Sequence, residues 1–555
     1  MSFNPQKNFV QLFEESFKAH WNNPAYTDYG TDYTLKYGDV ATMVGKLHLI
    51  FERCGIKKND KIALIGRNSA NWCVTYVATV TYGAVIVPIL QDFIGADVQR
   101  ILQHSESKLL FTADYKWKEL DQKQLGNVEV VFSLTKFEPI LSLDPNIKIE
   151  DVQPQTIQTL FNQKWAKGFT ADDVKYEWKD NEELAVLSYT SGTTGNSKAV
   201  MSPGRAMAAN AEFGEYLHIL YENDRMVTFL PLAHAYGCAF DFLGNTYSGG
   251  HTYLITTPPV PKILLKAFAE VKPTLILSVP LIIEKVYRQQ VAPKLQKAPL
   301  KWLIKIPGVN NLIYNKIRQQ LVEAFGGEFY EFIIGGAAMN PEIEDFFHKI
   351  NFPFTIGYGM TETAPLISYR DWKEFVPQSC GRVMDNMEAR IENPDKNGLG
   401  EIVVRGPHVM LGYYKNEEAT QNAFTKDGWL RTGDLGTIDK DGNIFIKGRC
   451  KTMLLGPSGQ NIFPEEIEDV LNNLHFVAES IVVQRDSKLI ALVVPNETAL
   501  KTAKIEASEI PAKFEELRKQ ANKQLPQYEQ IVAFEIQKEE FKKTPKNSIK
   551  RYLYK

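Results

Sequence analysis

"FYEFIIGGAAMNPEIEDFFHKI", residues 329–350, changes character part-way. The run EFII is short, apolar and β-branched, as in a strand buried on both faces. In NPEIEDFFHKI the apolar spacing becomes helical: Asn340 is placed to cap, Pro341 suits the first turn, and Glu342 and Glu344 put negative charge at the positive end of the helix dipole. A buried strand joined to a helix by the tight GGAA turn is the building unit of an α/β sheet, and ligands of such folds bind at that junction. The same alternation recurs upstream, where KIALIG (61–66) precedes NWCVTYVATV (71–80) and LAVLSYTSG (184–192) precedes RAMAANAEFGEYLHIL (205–220). The fold class is α/β.

With 555 residues the chain exceeds one ordinary hydrophobic core and predicts more than one domain. Beyond about residue 385 the texture shifts to shorter β-like pieces, GEIVVRG (400–406) and GNIFIKG (442–448), the second entered through the turn DKDGN. A compact tail follows: a helix (PEEIEDVLNNL), two strands about the turn RDSK (SIVVQ and LIALVVP), a second helix (AKFEELRKQANKQL) and a basic terminus. That inventory is a small α+β domain of about a hundred residues beginning near Arg449.

The 63 Lys+Arg against 66 Asp+Glu leave a net charge of −3, so no basic field recommends nucleic acid as a partner. Five scattered cysteines without C-x-x-C spacing argue against a disulfide framework or a zinc site and favour a reducing cytoplasm; the first residues lack the apolar run of an export signal. The uncharged stretch from Asn68 to Gln91 is long enough to span a bilayer. Recurrent Asn, Thr and Tyr, and the interruption at Gly83, make it instead a buried helix followed by a buried strand.

"YTSGTTGNSKAV" (189–200) carries the first chemical signal. It fails the common phosphate-loop pattern G-x-x-x-x-G-K-S/T, because Ser197 stands where the second glycine belongs. Gly192 and Gly195 nevertheless let backbone amides approach an anion, Thr190, Ser191, Thr193, Thr194 and Ser197 add hydroxyl donors, and Lys198 supplies a cation. Taken alone, the segment could also be a polar surface loop. Five hydroxyls within eight residues, directly after a buried-strand pattern, favour phosphate.

Further segments make the pattern specific: FLPLAHAYG (229–237), IIGGAAM (333–339), IGYGMTETAP (356–365), GWLRTGDLG (428–436) and KGRCKTMLLGPSGQNIFPEEIE (447–468). In order and spacing the chain resembles the adenylate-forming superfamily of acyl-CoA synthetases, adenylation domains and luciferases. The resemblance implies a large N-terminal domain, 1–449, with mixed sheets, helices and a small β-barrel-like part, and a small mobile α+β domain, 450–555. It implies ATP, Mg²⁺ and coenzyme A: a carboxylate attacks the α-phosphate of ATP, pyrophosphate leaves, and a thiol takes the acyl group from the adenylate. On this resemblance Glu362 is the Mg²⁺ ligand and Thr361 contacts the α-phosphate. Tyr358, followed by Gly359, stacks on adenine against a wall of Gly335, Gly336 and Ala337. Asp434 accepts both ribose hydroxyls and Arg449 assists there. Lys451 is the hinge about which the small domain turns, and Gly459 makes room for the pantetheine arm. His234 gates or lines the acyl pocket in the family; from the residues alone it could equally be a hydrogen-bonded core histidine, and a positioning role is the favoured reading.

The terminus departs from the family. Its final motif, T-x-T-x-K-I/V-K/R-R, carries a lysine that bridges carboxylate and α-phosphate, whereas KKTPKNSIKRYLY places Ser548 there. Either Lys546 takes over, or Lys550 does, or adenylation is impaired. Lys546 is preferred, since in an extended segment residues 546, 548 and 550 share one face. The mainly apolar KPTLILSVPLIIEKVYRQ (272–289) resembles long-chain fatty acyl-CoA synthetases and shows no acidic partner for an amino acid's ammonium. The expected activity is ligation of a medium- or long-chain fatty acid to coenzyme A, with small molecules as the partners. The rivals are a fatty acyl-AMP ligase serving a carrier protein and an adenylation-impaired sensor of acyl-adenylate. A peripheral membrane contact would suit a lipid substrate but has no residue behind it, and oligomeric state is not legible.

Overall fold

The computed structural model describes residues 7–190, 198–295, 297–455, 461–485, 488–544 and 548–554. Two compact units emerge: Met1–Thr190, Lys198–Glu388 and Arg405–Phe424 form the larger, and Ala389–Val404 with Thr425–Lys555 make up most of the smaller.

The larger unit is organised by an eight-stranded sheet in the order Gly412–Tyr413, Lys198–Pro203, Leu184–Thr190, Val85–Ile89, Lys61–Ile65, Leu109–Thr112, Val130–Ser133 and Pro139–Ser142. Its central strands are parallel, and antiparallel pairs close both ends. Strands covered on both faces must be apolar at every position, which explains why KIALI, VIVPI and VVFS do not alternate. Ile62, Leu64, Ile86, Phe111 and Phe132 enter one core, with Trp72 and Tyr76 from the neighbouring helix, while Ala63, Ile65, Val87, Leu110 and Val131 enter another.

The stretch 68–91 is the expected buried helix and strand. Ser69 caps the helix Ala70–Thr81 by accepting from the Trp72 amide, and Gly83, at φ +84°, turns the chain into Val85–Ile89. Among the described residues, no helix is long and apolar enough to cross a membrane.

A second, parallel sheet of three strands, Leu275–Ser278, Glu331–Ile334 and Phe354–Ile356, carries the GGAA turn. The helix Pro341–Lys349 follows as expected, its Asn340 side chain accepting from the Ile343 amide. A three-stranded antiparallel sheet, Tyr358–Gly359, Leu366–Tyr369 and Arg382–Val383, follows in the chain.

In the smaller unit an antiparallel sheet is built from Glu388–Glu392, Gly400–Arg405, Leu430–Ile438 and Ile444–Arg449. The tail is α+β: the helices Pro464–Asn472 and Ile510–Asn522 pack Ile467, Leu471, Phe514 and Leu517 against Val482, Ala491 and Val493 of a three-stranded sheet. Near the terminus the Thr544 amide donates to the Ser548 carbonyl at 2.8 Å and the Lys550 amide to the Lys542 carbonyl at 2.8 Å. Arg551 fastens this returning arm through two contacts with the buried carboxylate of Glu468, one of them 2.7 Å. A guanidinium fork matched to both carboxylate oxygens fixes orientation as well as distance.

Candidate active site

The GGAA turn sits at the carboxyl end of a buried strand. The Gly335 amide donates to the Ser278 carbonyl at 3.0 Å and the Gly357 amide to the Ile334 carbonyl at 2.8 Å, so the three strands leave the sheet side by side. Gly336 adopts φ +85°, which only glycine takes without strain. Gly335 is small for a different reason: a Cβ there would meet the Tyr236 ring at 3.1 Å. The Tyr236 hydroxyl donates to the Ile333 carbonyl at 3.1 Å, locking the ring across the wall. Ala337 is exposed on the same turn, and Tyr358, only 8% exposed, enters the adjoining antiparallel sheet opposite Ser368.

Next to this wall lies a pocket bordered by Gly335, Gly336, Tyr358 and Gly359 and continuing between Phe213, Leu220, Phe240, Leu277, Ile333 and Tyr369. Among the described residues no charged side chain lines it. His234, which precedes the wall-covering Tyr236 by two residues, is half-buried, and its backbone stitches the turn: its amide donates to the Pro231 carbonyl and its carbonyl accepts from Cys238, both at 2.9 Å.

Thr361 and Glu362 lie in a single helical turn, Thr361–Thr363. Buried Asn210 reaches it from the helix Gly204–Tyr216, donating to the Thr363 carbonyl at 3.3 Å and accepting from the Leu366 amide at 3.1 Å. The Met410 amide donates to the Glu362 carbonyl at 2.9 Å, and the Tyr413 hydroxyl donates to Glu362 Oε1 at 2.8 Å. Burial first, then the neighbouring carboxylate, push the Tyr413 phenol well above its ordinary range, so it remains a donor. Lys198 Nζ stands 4.4 Å from the centre of the Tyr413 ring, an attraction between cation and ring face. Lys198 pairs across the strands with Thr190, whose hydroxyl donates to the Lys198 carbonyl at 3.4 Å. The two ends of the glycine- and hydroxyl-rich loop are therefore fixed, and one end is tied to Glu362 through Tyr413. Ser191, Gly192, Thr193, Thr194, Gly195 and Ser197 lie outside the described residues, as do Gly459 and Lys546.

In the smaller unit Asp434 and Arg449 stand opposite one another in register, with Arg449 Nε 2.8 Å from Asp434 Oδ1. The side chain of Asp434 is 5% exposed and that of Arg449 62%, so the carboxylate is held in place while the guanidinium has room to reorient. Lys451 follows two residues later, exposed, past the end of the strand Ile444–Arg449.

Tyr413, Tyr236 and Asn210 escaped the sequence reading. Tyr236 lies inside the quoted PLAHAYG, where His234 drew attention; nothing local marks Tyr413 or Asn210. Tyr413→Phe is expected to lower the catalysed rate by about tenfold and to raise the Mg²⁺ concentration needed for half-maximal rate, since it removes one charge-assisted hydrogen bond. Pyrophosphate release titrated against Mg²⁺ checks it.

Among the described residues no three His, Cys, Asp or Glu side chains gather as a metal cluster. Hard oxygen chemistry of the kind Mg²⁺ prefers is present at Glu362, and a single carboxylate fits a cation that takes its remaining ligands from water and phosphate.

The profile of the AMP-binding enzymes matches residues 13–414, and that of the AMP-binding enzyme C-terminal domain matches residues 452–554. The chain is 28% identical over 461 residues to the long-chain-fatty-acid–CoA ligase FadD15 of Mycobacterium bovis, covering 77% of this chain and 72% of that one. It is 26% identical over 506 residues to the long-chain-fatty-acid–CoA ligase heimdall of Drosophila melanogaster, covering 84% and 73%. Among solved structures, ATP-bound MatB from Rhodopseudomonas palustris superposes with a TM-score of 0.75 at 21% identity, covering 99% of this chain and 98% of that one, a likeness of fold.

Proposed function

The chain belongs to the AMP-binding enzyme family, and from that premise we propose that it ligates a medium- or long-chain fatty acid to coenzyme A through an acyl-adenylate. One observation carries the fatty-acid part: the turn read as the adenine wall and an uncharged, mainly apolar pocket are borders of the same cavity. The names of the relatives point the same way.

In the first step a carboxylate oxygen attacks the α-phosphorus, the bond to the β-phosphate breaks, and pyrophosphate leaves with the bonding electrons. In the second the thiol sulfur attacks the acyl carbon, its proton is released, and AMP leaves. The first step brings an anion up to a polyanion, so it needs donors and cations already in position. On this reading Thr190, Ser191, Gly192, Thr193, Thr194, Gly195 and Lys198 hold the pyrophosphate end. Thr361 contacts the α-phosphate, Tyr358 and Gly359 meet adenine against Gly335, Gly336 and Ala337, and His234 shapes the mouth of the acyl pocket. Asp434, with Arg449, takes the ribose. Glu362 would hold Mg²⁺, which when bound offsets charge on the phosphate oxygens. Lys546 supplies the cation that Ser548 lacks. A domain boundary at 449/450 with Lys451 as hinge, space for pantetheine at Gly459, and a cytoplasmic location complete the proposal.

Purified protein with ATP, Mg²⁺ and palmitate or decanoate should release pyrophosphate, and adding coenzyme A should yield acyl-CoA. Pyrophosphate release without acyl-CoA would transfer the assignment to a ligase serving a carrier protein. No release with any fatty acid would leave the sensor.

A further inference from the structure

One wall of the acyl cavity carries an aromatic residue held by a buried carboxylate. The cavity's sheet face is formed by Leu275 and Leu277 from one strand and by Ile333 and Gly335 from the next, alternate residues on one side of the parallel pair. The same alternation brings Glu331, paired with Leu275, to that face at the opposite end from Gly335. Tyr369 follows Ser368, the cross-strand partner of Tyr358, so its backbone lies near the glycine wall while its hydroxyl reaches toward Glu331.

Glu331 is 2% exposed. The Tyr369 hydroxyl donates to its Oε2 at 2.6 Å and the Trp372 amide to its Oε1 at 2.9 Å. Burial lifts this carboxyl to about 7, and the two donors oppose the rise. Tyr369 lines the cavity, its ring edge-on to Phe213 at 6.5 Å. The adjoining wall is also braced by polar groups. The Tyr330 hydroxyl lies 2.8 Å from both the Ile219 carbonyl and Asp224 Oδ2, either of which can accept its proton, and Thr274 donates to Asp224 Oδ1 at 2.6 Å. Leu220 fills the space left by two glycines: a Cβ on Gly214 or Gly244 would come within 2.3 Å or 2.8 Å of its Cδ1. A longer chain could not pass here by shifting a loosely packed side chain, because displacing Tyr369 would strip a buried carboxylate of a donor.

We propose that Tyr369, held by Glu331, narrows the acyl cavity and makes this enzyme prefer medium-chain over long-chain acids. The inference rests on the fatty-acid ligase reading and on Gly335 as the adenylate wall. Tyr369 is a specificity residue and Glu331 its positioning residue.

The test is kcat/KM for octanoate, decanoate, laurate and palmitate, measured as pyrophosphate release on the full chain. Wild type should favour decanoate over palmitate by about tenfold or more, the discrimination expected of an over-filled apolar pocket. Tyr369→Ala should raise the palmitate-to-decanoate ratio by about tenfold. Glu331→Ala should move the ratio the same way, chiefly through KM, and Glu331→Gln, which restores an acceptor for Tyr369, should bring it back. Wild type that uses palmitate as efficiently as decanoate overturns the length preference but leaves the ligase reading standing, and it does so even if the alanine variants do not fold. A folded Tyr369→Ala with an unchanged ratio also overturns it. Failure of every fatty acid to release pyrophosphate overturns the ligase reading and this inference with it.

Discussion

Glu362→Gln should lower ATP-dependent pyrophosphate release by roughly 10²–10³-fold, the scale of losing one preorganised electrostatic partner of the reacting phosphates. The substitution is chosen to separate charge from shape. A glutamine oxygen still accepts from the Tyr413 hydroxyl, and the backbone bond from Met410 is untouched, so the turn Thr361–Thr363 should keep its place. What disappears is the negative charge that would hold Mg²⁺. A raised Mg²⁺ requirement with an unchanged melting temperature is the expected pair of readings. A variant as fast as wild type across the whole Mg²⁺ titration would remove Glu362 from the metal role.

The second large effect is at the carboxyl terminus, where Lys546→Ala should reduce adenylation by about 10²–10³-fold, as loss of a cation between two anions implies. Transfer to coenzyme A from a supplied acyl-adenylate should be spared, because the acyl group is then no longer a free carboxylate approaching the α-phosphate. Lys550→Ala is the paired control. Ser548 and Lys550 lie on an arm that returns past Lys543, which stands opposite Ile549, and the arm is fastened by Arg551 to Glu468. Since that anchor involves neither lysine, both variants should keep the arm fastened. A large loss at Lys550 with none at Lys546 would reassign the cation.

Local rules made much of the fold readable. Asn340, Pro341 and the two glutamates announce the helix Pro341–Lys349 because capping and dipole effects act within one turn, and the uniformly apolar strands announce a sheet covered on both faces. The wide-turned helix Gly237–Gly244 was not readable, since its buried sequence GCAFDFLG has no proline or cap to distinguish it from an ordinary apolar run.

The candidate site divides in the same way. Residues within quoted motifs, such as Glu362, Tyr358 and Asp434, could be singled out from sequence through family resemblance. The groups that position them could not. Tyr413 lies 51 residues from Glu362, and Asn210 lies 153 residues from Thr363. Those contacts are created by strand order, here the antiparallel pairing of Gly412–Tyr413 with Lys198–Pro203, and no local pattern encodes strand order.

That Gly335 and Tyr358 border the same cavity as Leu277 and Tyr369 bears on inhibition. An unreactive mimic that joins an adenosine to an alkyl tail would present its second half at the high effective concentration of a tethered ligand, so its affinity would approach the product of the two halves. The tail would also act as a ruler, with affinity rising carbon by carbon until it meets Tyr369 and falling beyond it.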